Sequence, residues 1–92
     1  MGQIQVKYLN VFYNLTQKKG EVVEFDDSLT LKELVDRLSQ NYKAEFRNTI
    51  MDGEEKLTLY AWILVNGEHA GHLEMKLKDG ASVIFSLPIA GG

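Results

Sequence analysis

Leu29-Thr30-Leu31-Lys32-Glu33-Leu34-Val35-Asp36-Arg37-Leu38-Ser39-Gln40-Asn41-Tyr42 is the stretch on which the reading of the fold turns. Thr30 followed three residues later by Glu33 is a capping box, in which each side chain takes up the other's exposed backbone N–H. Leu29 before the cap and Leu34 four residues after it form a hydrophobic staple. Leu31, Leu34, Val35, Leu38 and Tyr42 then recur at helical spacing, with Lys32, Glu33, Asp36 and Arg37 between them. That pattern predicts a helix from about Leu31 to Tyr42 that lays one apolar stripe on a sheet.

Outward toward the N-terminus the period changes to two. Ile4, Val6 and Tyr8 share one face of Gln3–Leu9, and Gln3, Gln5 and Lys7 share the other, which predicts a half-buried strand. Val11–Thr16 is apolar without a pattern and reads as a packed turn. Lys18-Lys19-Gly20 is a turn, and Glu21–Phe25 a second strand, antiparallel to the first.

Outward in the other direction, Ala44–Ile50 is compatible with a short second helix. Asp52-Gly53 marks a turn, and Glu54-Glu55-Lys56 reads as a solvated loop. Leu57–Val65 is apolar and aromatic enough for a central strand. Asn66-Gly67 is a strong hairpin signal. Glu68–Ala70 returns as a short strand, Leu77-Lys78-Asp79-Gly80 turns again, and Ala81–Leu87 is the last strand.

Two hairpins thus flank one long helix. A single helix covers only one face, so the expected class is α+β in two layers. The first and last strands become a central parallel pair, joined by a right-handed crossover. This is a β-grasp arrangement: a mixed sheet of about five strands with one main helix packed on one face.

The 92 residues fit one domain. There is no cysteine, which removes disulfides, thiol nucleophiles and cysteine-based metal sites. The net charge of −3 disfavours nucleic acid as a partner. No apolar run approaches a membrane span, and the alternating segment from Gln3 leaves no room for a signal peptide. Met1-Gly2 invites myristoylation, but Val6 stands where Ser or Thr is needed. The expectation is a cytoplasmic protein with no membrane and no nucleic-acid partner.

No constellation for catalysis appears. His69 and His72 flank Ala70-Gly71, but no carboxylate set completes a metal site, so no metal is expected. Ser28, Ser82 and Ser86 have no triad context, and Gly53, Gly67 and Gly80 are isolated turn glycines. Strand alternation points Val83, Phe85 and Leu87 into the core. Ile84 and Ser86 then face outward, and Ile84 is the better candidate for a docking patch, with Phe12 or Tyr13 beside it.

The chemistry concentrates at Pro88-Ile89-Ala90-Gly91-Gly92. Pro88 lacks an N–H and stops the preceding strand from extending its ladder. The expected domain is therefore residues 1–87, with a flexible diglycine tail at 88–92 that reaches at most roughly 16 Å. Two residues without Cβ fit a channel that side chains would block. Termini are often merely frayed, but Leu87, Pro88, Ile89 and Ala90 are apolar where frayed ends tend to be polar.

With these residues in hand the chain resembles the ubiquitin-like sulfur carriers, and most of all the small subunit of molybdopterin synthase. The matching residues are Val65-Asn66-Gly67, Leu77-Lys78-Asp79-Gly80, Val83-Ile84-Phe85 and Pro88–Gly92; in element order the resemblance spans essentially the whole chain. Ala81 stands where the family often has an acidic residue, and Phe85-Ser86-Leu87 replaces a segment often richer in aromatics and proline.

The resemblance implies a carrier that binds no cofactor itself. An adenylating enzyme akin to the ubiquitin-activating enzymes would use ATP to activate the Gly92 carboxylate, and a sulfur donor would convert it to a thiocarboxylate. Pro88, Ile89, Ala90 and Gly91 would lie along the partner, the large subunit of molybdopterin synthase. The same resemblance leaves room for a ubiquitin-like protein modifier and for a sulfur carrier serving thiamine synthesis or tRNA thiolation. A plain β-grasp interaction module is the third possibility.

Overall fold

The computed structural model describes residues 1–54, 56–58 and 61–87. In chain order they form β1 (Gly2–Tyr8), α1 (Val11–Thr16), β2 (Gly20–Phe25), β3 (Leu29–Thr30), α2 (Leu31–Ser39), α3 (Ala44–Ile50), β4 (Trp62–Val65), β5 (Glu68–His69), β6 (Lys76–Leu77) and β7 (Ser82–Ser86). The main sheet has the order β2-β1-β7-β4-β5. β1 and β7 are its central parallel pair, with Val6 beside Val83 and Tyr8 beside Phe85. β2 is antiparallel to β1, and β4 is antiparallel to β7. This is the expected β-grasp topology.

The capping box at Thr30 and Glu33 is complete, with Thr30 N–H donating to Glu33 Oε1 at 2.9 Å and Glu33 N–H to Thr30 Oγ1 at 3.1 Å. Two further donors of the first turn find carbonyls outside the helix. Leu31 N–H donates to Met75 and Lys32 N–H to Leu73, at 2.9 and 2.8 Å. These bonds dock the helix on the β6 region, where Leu29–Thr30 and Lys76–Leu77 form a second, two-stranded sheet. A helix start has four such donors to satisfy, so the neighbouring chain fixes where α2 begins. The helix ends at Ser39 with Gln40 as its C-cap, so Tyr42 lies beyond the helix rather than inside it.

Three further expectations change. Val11–Thr16 is a one-and-a-half-turn helix, not a turn. Its six residues are too few to hold a helix alone; the burial of Phe12 against Phe46 and Phe85 holds it in place. The strand expected from Leu57 is shorter, running from Trp62. Met51 and Leu57 instead form an isolated antiparallel bridge, and Leu59 and Tyr60 lie outside the described residues. Lys76–Leu77, which carries no sequence signal at two residues, is a strand. Ala44–Ile50 is helical, as its composition allows.

One face of the sheet is buried. Ile4, Val6 and Tyr8 from β1 and Val83 and Phe85 from β7 meet Leu31, Leu34, Val35 and Leu38 from α2. At the end where β7 leaves the sheet, the core is aromatic. Tyr8 and Phe85 stack at 5.9 Å, Phe46 lies 5.7 Å from Phe85 and 5.4 Å from Tyr42, and Phe12 completes the group. Ring pairs at these separations add about 0.5–1.5 kcal/mol each beyond their burial.

Candidate functional site

Pro88, Ile89, Ala90, Gly91 and Gly92 lie outside the described residues, and with them the boundary expected at residue 88. The described part of the site is the root from which they continue, together with the outer face of the sheet beside it.

The root is built by three backbone events. Leu9 N–H donates to the Phe85 carbonyl at 2.9 Å, the final rung of the β1–β7 ladder. In a continuing parallel ladder the Leu9 carbonyl would next accept from Leu87 N–H. That carbonyl instead accepts from Phe12 N–H at 3.1 Å, because the chain turns into α1. The turn is made by Asn10 at φ 56° and ψ −129°, a region that glycine prefers. A non-glycine residue in such a region costs of order 1–3 kcal/mol.

Asn10 is the N-cap of α1, yet its side chain makes no capping bond. Its Oδ1 turns to the tail root instead, 3.4 Å from Leu87 N and 3.2 Å from Ser86 Oγ. Ser86 Oγ also lies 3.1 Å from the Leu87 carbonyl. Leu87 itself is half-buried against the core. The last described residue is thus held on its apolar side by the core and on its polar side by Asn10.

The outer face carries the docking candidates. Ile84 lies between Lys7 on one neighbouring strand and Leu64 on the other, and Leu64 is paired with His69. Ile84 is half-buried. Trp62 is paired with Ser86, is 43% exposed, and meets the His69 ring edge-on at 5.6 Å. On the other side of β7, Leu9 and Tyr13 are 47% and 42% exposed and begin a groove of about 790 Å³ that ends at Val22. Lys7 and Lys19 line it. Phe12 is fully buried, so Tyr13 is the residue of that pair on the patch.

Sequence reasoning assigned Ile84 to this face and missed Trp62 and Asn10. Trp62 was hidden in an apolar run, although the burial order of Trp62–Val65, with Ile63 and Val65 inside, is an alternation. For Asn10 the available signal was its place just after an alternating strand, since Asn tolerates positive φ better than most residues.

Below the root, the Glu21 carboxylate accepts from the phenols of Tyr8 and Tyr42 and lies 3.8 Å from Lys18 Nζ. Burial pushes the Tyr8 phenol well up, and the adjacent Glu21 pushes it further. Burial, then Glu21, also raises Tyr42. These phenols stay neutral donors at neutral pH, and their bonds to Glu21 tie β1, β2 and the segment after α2 together. Among the described residues no group of three or more His, Asp or Glu is gathered as a metal would require. His72 Nδ1 lies 3.5 Å from Glu74 Oε2 in an exposed pair. No helix of the described residues is long and apolar enough to cross a membrane.

A β-grasp body whose central last strand leads to a Gly-Gly ending defines the class of ubiquitin-like sulfur carriers. The profile of the ThiS family matches residues 6–92, and the chain belongs to that family. No significant match is found among curated proteins. Among solved structures, SAMP1 from Haloferax volcanii superposes with a TM-score of 0.81 at 21% identity, covering 99% of this chain and 100% of that one. A putative molybdopterin converting factor, subunit 1, from Pyrococcus furiosus gives 0.79 at 22% identity, covering 97% and 100%. The BexX/CysO complex from Amycolatopsis orientalis gives 0.73 at 26% identity, covering 97% and 99%.

Proposed function

We propose that this chain is the small, sulfur-carrying subunit of a molybdopterin synthase. The observation that carries the reading is the family match, which runs through Gly91-Gly92. The likeness to the Pyrococcus furiosus protein agrees with it. Gly92 is the reacting residue. Its carboxylate attacks the α-phosphorus of ATP on an adenylating enzyme, and pyrophosphate leaves. A hydrosulfide equivalent from a sulfur donor then attacks the acyl carbon, AMP leaves, and a thiocarboxylate remains.

Gly91 keeps the passage narrow, and Pro88, Ile89 and Ala90 lie against the partner. The body adds no acid or base. It offers an apolar outer face, with Ile84, Trp62, Leu9 and Tyr13 around the tail root, on which an activating enzyme and a synthase large subunit dock in turn. CysO too is found in a complex with a second protein, BexX.

Intact mass of the protein isolated from its own cell tests the reading. A C-terminal oxygen-to-sulfur exchange on Gly92, together with loss of molybdopterin synthesis when Gly91 and Gly92 are deleted, supports it. A ladder of lysine conjugates without thiocarboxylate makes the chain a protein modifier instead. Full cofactor synthesis with the diglycine deleted overturns the carrier reading.

A further inference from the structure

The tail root contains an expense that the fold does not need. Asn10 adopts a backbone conformation suited to glycine, at the cap position of α1, and does not cap α1. The turn alone would be served better by glycine. What asparagine adds is the amide oxygen, and that oxygen lies 3.4 Å from Leu87 N and 3.2 Å from Ser86 Oγ. The ladder carbonyl that Leu87 N–H would otherwise reach, that of Leu9, accepts from Phe12 N–H as the chain turns into α1, and Leu87 N–H goes to Asn10 Oδ1 instead.

We propose that Asn10 is a positioning residue for the tail: its Oδ1 replaces the missing ladder carbonyl and holds Leu87, so that the chain enters residue 88 from a fixed point and in a fixed direction. This rests on the carrier reading of Gly92. Both sides of the root are then set. The core holds Leu87 through its side chain and Asn10 Oδ1 holds it through the Leu87 N–H, while the single Ser86 hydroxyl proton has two acceptors in reach, Asn10 Oδ1 and the Leu87 carbonyl. An enzyme that must receive the tail meets a chain whose first residue is already ordered, and ordering cost is part of what weakens binding. Asn10 touches no reacting atom. It acts through Leu87.

Asn10→Gly separates this role from a structural one, because glycine accepts the same φ and ψ without strain and lacks only the amide. Asn10→Asp is the conservative rescue, since a carboxylate oxygen accepts the same two bonds. Two measurements are made on the full chain: hydrogen exchange of the Leu87 amide by NMR, and the pyrophosphate exchange catalysed by the source cell's adenylating enzyme with the carrier as varied substrate. For Asn10→Gly the melting temperature is unchanged or higher, Leu87 exchanges faster, and KM rises about tenfold, the worth of ordering roughly one residue's backbone, with kcat little changed. Asn10→Asp restores both.

A chain lacking Gly91 and Gly92 is the control. If that deletion still supports exchange, the carrier reading fails. If the deletion abolishes exchange while Asn10→Gly keeps wild-type Leu87 protection and KM, the positioning role alone is overturned. A lower melting temperature for Asn10→Gly with unchanged KM assigns Asn10 to the fold and overturns it equally.

Discussion

The Tyr8 phenol donates a 2.5 Å hydrogen bond to Glu21 Oε2, and the same oxygen accepts from Tyr42. Tyr8 is 1% exposed and cannot exchange this bond for water. Glu21→Ala leaves a buried hydroxyl without its acceptor and is expected to cost about 1–3 kcal/mol. Glu21→Gln retains an acceptor and costs less. Urea unfolding of the two variants checks the order. Equal stabilities would show that the carboxylate contributes through neither bond.

The same pair sets an alkaline limit. The folded pKa of Tyr8 is raised above the ordinary phenol value of 10.0, so the contribution of the neutral phenol is fully present below about pH 10. It is lost as pH rises beyond that, because unfolding releases a phenol that then ionises. Melting temperature should fall above about pH 10, and Tyr8→Phe should flatten that fall. A Tyr8→Phe profile that declines as steeply as wild type assigns the limit to other groups.

The acid side is governed by other groups. Thr30 backbone and hydroxyl bonds hold Glu33 below the ordinary glutamate value of 4.5, and the Lys56 and Glu54 amides hold Asp52 below the ordinary aspartate value of 3.8. Both folded values are depressed. Their stabilisation is therefore present above those ordinary values and lost as pH falls through the folded values. Glu33→Gln keeps an oxygen for Thr30 N–H but removes the titration. Its melting temperature should depend less on pH below about 4.5 than that of wild type. Identical slopes would contradict the capping carboxylate as a source of acid sensitivity.

How far the chain was legible depended on where each element gets its stability. The helix at Leu31–Ser39 was readable because Thr30, Glu33 and the Leu31-Leu34-Val35-Leu38 stripe are local signals that the tertiary structure simply uses. β1 and β7 were readable because each alternates, and the Asn66-Gly67 turn appeared at φ 52° and 84° as its sequence demands. Val11–Thr16 was not, because Phe12 owes its helix to Phe46 and Phe85, far away in sequence. Asn10 escaped for the same reason: its partners, Ser86 and Leu87, are 76 and 77 residues away.

The outer face gives a prediction about binding rather than folding. Trp62 is 43% exposed and leans on His69, so Trp62→Ala should cost about 1 kcal/mol or less in stability. If this face docks partners, an exposed aromatic beside the tail root is a candidate hot spot worth about 2 kcal/mol or more, roughly a 30-fold loss of affinity. Titration of the variant against the adenylating enzyme by calorimetry decides. Unchanged affinity would take Trp62 out of the interface.

The floor of the groove beside the tail root depends on an absent side chain. A Cβ at Gly20 would lie 2.3 Å from the Val6 carbonyl oxygen, and that neighbour is backbone in β1, itself paired to Val83 in β7. The obstacle cannot rotate aside. Gly20→Ala must push β2 away from β1 near Lys7, at a cost of about 1–3 kcal/mol by analogy with an overpacked interior. Gly53 is the control, since a Cβ there meets nothing within 4 Å. Gly53→Ala should be neutral or stabilising by up to about 1 kcal/mol, through the lost freedom of the unfolded chain. Denaturant midpoints at constant m separate the two. A Gly20→Ala midpoint at or above wild type would mean that the β1–β2 pairing relaxes without loss, and that the missing side chain at position 20 does not fix the shape of the groove.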